Sequence, residues 1–116
     1  MDFHLQRKLK FKAWNSQDRL LMRLNSIECV KGELVKKGHV LLQFTGLQDK
    51  QNEELYELDV MLIGTEQYVI VWNADAGGWY FQKLPATDKG VQEPFVPTVA
   101  QQALRLWSYF ESAENA

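Results

Sequence analysis

The stretch "EQYVIVWNADAGGWYFQKL", residues 66–84, constrains the fold more than any other part of the chain. Its first eight residues are rich in Val, Ile and aromatics, whose stiff or bulky side chains suit a pleated strand. "ADAGG" ends in two glycines, which adopt positive φ at little steric cost. "WYFQKL" then returns in strand chemistry, and the three pieces together predict a β-hairpin. Trp72 continues the alternation of Tyr68 and Ile70, so Trp72 is expected to be mainly buried.

Upstream, "KLKFKAWN" alternates strictly. Lys8, Lys10 and Lys12 point one way and Leu9, Phe11 and Ala13 the other, which predicts a strand with one face on a core. "RLLMRLNSIECV" reads as a strand of mixed burial or a bulged pair, and "KGELVKKGH" as a loop or short hairpin. "HVLLQFTG" and "LYELDVMLIG" read as strands on either side of the polar "LQDKQNEE". Cys29, within "SIECV", is expected to be a small buried hydrophobe rather than a nucleophile.

Downstream, the prolines of "PATDKGVQEPFVP" block ladder bonding and disfavour helix, so 85–97 reads as a Pro-containing linker. The tail then changes period. Thr98 with Gln101 three residues on is a capping-box pattern. Val99, Ala103, Leu106, Trp107 and Phe110 fall on one helical face, which predicts a helix over 98–112. Glu111 and Glu114 lie at the wrong end for the helix dipole, so fraying is expected there. The expected fold is mainly β: a strongly bent antiparallel sheet or small SH3-like barrel with one C-terminal α-helix, in a single domain of 116 residues.

Hydrophobic residues make up 46% and charged residues 24%, the balance of a folded chain rather than a disordered one. The net charge of -2 does not by itself predict a nucleic-acid partner. The charge is unevenly spread. Residues 1–40 carry nine Lys/Arg and four Asp/Glu (+5), and residues 41–116 carry four Lys/Arg and eleven acids (-7). Solvation of outer strand faces, intramolecular pairing, head-to-tail self-association and a local polyanion site all fit that split. One cysteine allows no disulfide within the chain. No apolar run reaches the roughly 20 residues that span a bilayer, and "MDFHLQRKLK" lacks the apolar core of a signal peptide. A cytoplasmic protein without membrane contact is expected.

Asp49, Glu53, Glu54, Glu57 and Asp59 crowd into residues 44–60. A calcium loop starting at Asp49 would need Gly at its sixth position and an acid at its twelfth, and finds Glu54 and Val60. His4, His39 and Cys29 lack zinc-ligand spacing. No metal or cofactor is expected. Glu57 and Asp59, two apart on an expected strand from Tyr56 to Ile63, are the acids that could do acid–base work. Asp49 is expected to accept backbone N–H bonds within its turn, as Asx residues do. Trp14, Trp72, Trp79, Tyr80 and Phe81 are either core or a stacking platform for single-stranded nucleic acid.

The motif "QFTGLQDKQNEELYELDV" resembles the YopX-like family of small phage and prophage proteins. That family's pattern runs Phe-Thr-Gly-Leu-Lys-Asp-Lys-Asn-Gly-Lys-Glu-Ile-Tyr-Glu-Gly-Asp-Ile. The chain keeps Phe44, Thr45, Gly46, Leu47, Asp49, Lys50, Glu54, Tyr56, Glu57 and Asp59 in register. "KFKAWN" is similar to the family's start through Lys10, Phe11, Ala13 and Trp14, and the hairpin at 66–84 resembles the one that tends to follow. The resemblance covers about 8–84. It departs at Gln51-Asn52, where the family has Asn-Gly, and at Leu58, where it has Gly. It implies a fold and a phage or prophage setting in a bacterial host, and no activity.

The expected function is therefore non-enzymatic: a protein-interaction or self-assembling module, homo-oligomeric, with a host or phage protein as a further partner. Lys8, Lys10, Lys12, Trp79, Trp107 and Phe110 are its candidate surface. The alternative is a small nucleic-acid-binding barrel using exposed aromatics and the basic N-terminal strand. A hydrolase using Glu57 and Asp59 is the third.

Overall fold

The computed structural model describes Phe3, residues 5–86 and residues 90–113. Its strands are β1 (Phe11–Asn15), β2 (Leu20–Arg23), β3 (Glu28–Val30), β4 (Glu33–Val35), β5 (His39–Gln48), β6 (Glu54–Tyr56), β7 (Asp59–Ile63), β8 (Glu66–Asn73), β9 (Gly78–Lys83), β10 (Gln92–Pro94) and β11 (Leu104–Ser108). Two short helices, α1 (Pro97–Ala100) and α2 (Tyr109–Ala113), flank β11. The fold is mostly β, a strongly curled antiparallel half-barrel.

One sheet runs β2-β1-β5-β6 and another β10-β9-β8-β7-β11, while β3 and β4 form a two-stranded hairpin. The two larger sheets meet at the corner Glu57–Leu58. Glu57 N–H donates to the Gln43 carbonyl in the first sheet, and Leu58 N–H to the Ile70 carbonyl in the second, each at 2.8 Å. Leu58 stands at φ 63 to make that corner. A bulky side chain there is a true steric outlier. The expected strand from Tyr56 to Ile63 is thus two strands joined at a corner, and this is where the family pattern has Gly.

The predicted hairpin is β8–β9, with Trp72 opposite Trp79. Trp72 is 49% exposed, against expectation. The alternation is right, since Ile70 on the same face is fully buried. The strands outrun the core, so their last aromatic pair stands at its edge. The core itself gathers Leu55, Met61, Ile70, Phe81, Phe95 and Ala103.

The tail differs most from expectation. In place of a helix over 98–112, a four-residue helix with Pro97 in its first turn and no side-chain cap is followed by β11 on β7. Glu114 lies outside the described residues. The expected linker over 85–97 contains β10, which pairs with β9, and Phe95, which is buried in the core.

The first forty residues contribute little to that core. Only Lys12, Ala13 and Trp14 among their described members are buried. Every residue of β3 and β4 is exposed, including Cys29, which is therefore not the buried hydrophobe expected. Lys31 and Gly32 both adopt positive φ and close this hairpin as a tight mirror-image turn. The radius of gyration is 14.9 Å, above the roughly 13 Å of a compact chain this long.

Candidate functional site

The acid-rich motif is a set of internal staples. Asp49 is 4% exposed. Its Oδ1 accepts the backbone N–H of Gln51 (2.8 Å) and of Glu53 (2.9 Å), the turn bonding expected of an Asx residue. Its Oδ2 reaches across the fold to the N–H of Arg105 at 2.7 Å. Lys50 N–H adds a bond to the Ala103 carbonyl, so the turn grips the start of β11 twice. Asn52 takes φ 65 where the family has Gly, a conformation Asn tolerates better than most residues.

Asp59 holds β11 from the other side. Its Oδ2 accepts Tyr56 N–H at 2.8 Å and Arg105 Nε–H at 2.9 Å. Burial pushes the Asp59 carboxyl up from its ordinary range, while Arg105 and the Tyr56 N–H pull it back. Arg105 is thus bonded by both motif aspartates, one through its backbone and one through its guanidinium. Nothing in the spacing of the tail marks it for that role.

Glu57 does not share a strand face with Asp59, because the left-handed Leu58 turns the chain between them. Burial raises its carboxyl, and the Gln43 N–H lowers it only in part. Among the described residues no group of three or more His, Cys, Asp or Glu is placed to hold a metal ion, and His4 lies outside them.

Thr45 and Gly46 shape a bulge rather than a strand end. The register of β5 against β6 shifts between Phe44 and Gln48. Thr45 Oγ1 donates to the Leu55 carbonyl at 2.8 Å, and Gly46 takes φ 89, which a side chain would strain. Leu47 packs against the core. Phe44 and Tyr56 meet at 5.5 Å between ring centres.

The candidate surface comes apart into three kinds of residue. Lys12 is buried, its Nζ 4.5 Å from the Tyr56 ring centre, and burial lowers its pKa. The sheet curls so tightly that both faces of β1 are covered there. Lys10 Nζ donates to Glu54 Oε2 at 2.7 Å, and this bond holds the Glu54 carboxyl below its usual range. Lys8 alone of the three is exposed. Phe110 stacks on buried Trp14 at 5.3 Å and 7°. Trp107 is 40% exposed, and Trp79 is half-buried. Arg7, which no sequence pattern singles out, lines a groove of about 550 Å³ together with Lys8 and Trp79.

Among the described residues no helix is long and apolar enough to cross a membrane. No curated protein matches the chain. Among solved structures, the crystal structure of protein EF1440 from Enterococcus faecalis is similar over 95% of this chain and 99% of its own, with a TM-score of 0.65 and 17% identity. At that identity the likeness is one of fold. The family model described as YopX protein matches residues 4–98, extending the resemblance at both ends. With that match over most of its length, and the motif's Asp49, Gly46 and Asp59 all at structural positions, the chain belongs to the YopX family.

Proposed function

We propose that the chain is a non-enzymatic accessory protein that acts by binding, and that it assembles with copies of itself. The carrying observation is where apolar surface is left uncovered. Among the described residues thirteen large apolar side chains are exposed, and eight lie in the first forty residues. Phe3 (93%) and Leu5 (86%) are the extremes. So many uncovered apolar side chains in one third of the chain point to surface that a partner covers, and the open β3–β4 hairpin adds unpaired edges. The non-enzymatic half is supported by Asp49 and Asp59, whose carboxylates bond backbone and Arg105. An origin in a phage or prophage, work in the bacterial cytoplasm and a host or phage protein as a further partner belong to the same proposal, on the strength of the family resemblance. The expected helix face no longer motivates assembly, since that helix is absent. Light scattering at tens of micromolar should give a mass of two copies or more. A monomer mass throughout overturns the reading.

A second reading has one observation of its own. Arg7 and Lys8 share a groove with Trp79, the cation and indole that single-stranded nucleic acid uses. It expects salt-sensitive binding of oligonucleotides that weakens on Trp79→Ala. No shift at low salt removes it.

A further inference from the structure

We infer that the N-terminal segment of one copy, residues 3–9, docks on the Trp72–Trp79 end of the five-stranded sheet of a second copy. This rests on the self-assembly reading and names its surfaces. The described residues of the donor, Phe3 and 5–9, belong to no helix or strand. Phe3, Leu5 and Leu9 carry the alternation of β1 outward past Lys10, whose carbonyl accepts Phe44 N–H, and all three are exposed. From residue 3 to residue 17 the chain has no acid, and Arg7 and Lys8 are exposed.

The acceptor has matching chemistry. Trp72 is the largest exposed apolar group of the acidic part of the chain and meets Trp79 edge-to-face at 5.1 Å. Val96 is exposed too, and it follows Phe95, whose N–H donates to the Trp79 carbonyl. Asp75, in the turn after Trp72, is exposed. Apolar side chains can cover the indoles, Arg or Lys is attracted to an indole face, and Asp75 supplies the opposite charge. Within one copy Arg7, Lys8 and Leu9 line one open groove with Trp79, yet Phe3, Leu5, Leu9 and Trp72 stay exposed.

Local charge favours a second copy as occupant. Arg7 and Lys8 of two such segments repel each other face to face, whereas either pair is attracted to the exposed Asp75 of the other copy. Donor and acceptor are different surfaces, so the contact closes reciprocally in a dimer or continues around a ring.

Mixing separates this from other modes of assembly. A donor variant carries Phe3→Ser, Leu5→Ser, Arg7→Glu and Lys8→Glu, and an acceptor variant carries Trp72→Ala and Asp75→Lys. By analytical ultracentrifugation the wild type should assemble, less so in high salt. Each variant alone should be monomeric, and an equimolar mixture should recover a 1:1 heterodimer. Asp75→Lys alone, a change on an exposed turn, should weaken assembly roughly tenfold at low salt. A wild type that assembles while either multiple variant still does so fully overturns this inference and leaves self-assembly standing. So does a mixture of folded variants that stays monomeric, or an unchanged affinity for Asp75→Lys. A monomeric wild type overturns both.

Discussion

Residues 44–63 and residues 1–40 make an instructive pair. In the first, Thr45, Asp49, Glu54, Tyr56 and Asp59 each have an internal partner. In the second, apart from the buried run Lys12–Trp14, the described side chains are half-buried or exposed, and both edges of the β3–β4 hairpin are open. The first region is the most recognisable in sequence and the second the least. Recognisability here follows geometry: the motif residues are those that make a bulge, a turn and a corner. Binding surface has to be sought where apolar side chains are left exposed.

The largest expected effects break the motif. Arg105→Ala leaves Asp59 buried without its charge partner, and losses of this kind run to about 3–5 kcal/mol. Asp49→Ala strips acceptors from three N–H groups and should cost about 3 kcal/mol or more. Urea unfolding checks both. A loss below about 1 kcal/mol in either would mean the motif is not the staple described.

Trp72→Ala sharpens the other side. With half the indole exposed and an edge contact to Trp79 to lose, stability should fall by only about 1 kcal/mol. A fall of 3 kcal/mol or more, the usual cost of emptying a buried aromatic site, would return Trp72 to the core. Leu58→Gly relieves a left-handed non-glycine at the corner. Relief of about 1–2 kcal/mol, less the added freedom of unfolded Gly, should leave a gain of up to about 1 kcal/mol in the same assay. A loss would show that the Leu58 side chain matters more than its backbone.

Much of this was legible beforehand, and the misses have physical causes. Asp49 as a turn acceptor and the β8–β9 pairing follow from local chemistry. The tail does not. "LRLWS" alternates as a strand should, yet Thr98, Gln101 and the apolar spacing suggest a helix equally well. What decides is long-range: Asp49 takes the N–H of Arg105 and Lys50 bonds the Ala103 carbonyl. The alternation puts Trp72 on the correct face, but no sequence shows where a core stops. Lys12 alternates with outward lysines, and only the curl of the sheet brings Tyr56 over it.

The smallest effect concerns Glu57. Its folded carboxyl titrates above the 4.5 of an ordinary Glu because burial penalises the charge. The folded state therefore holds the proton more tightly than the unfolded state. Stability should fall as pH rises from 4.5 through the raised folded value, and be lowest from this group above it. Glu57→Gln should flatten that part of the pH–stability curve. An unchanged curve would contradict the burial described.

Hydrogen exchange as a function of protein concentration tests the central contrast most directly. Amides of residues 49–63 should exchange slowly at every concentration, being held within one copy. Amides of residues 5–9 and of the β8–β9 turn, residues 73–78, should exchange fast when dilute and slow as copies assemble. Protection of those two segments that does not change with concentration, or a concentration dependence confined to residues 49–63, would contradict the account.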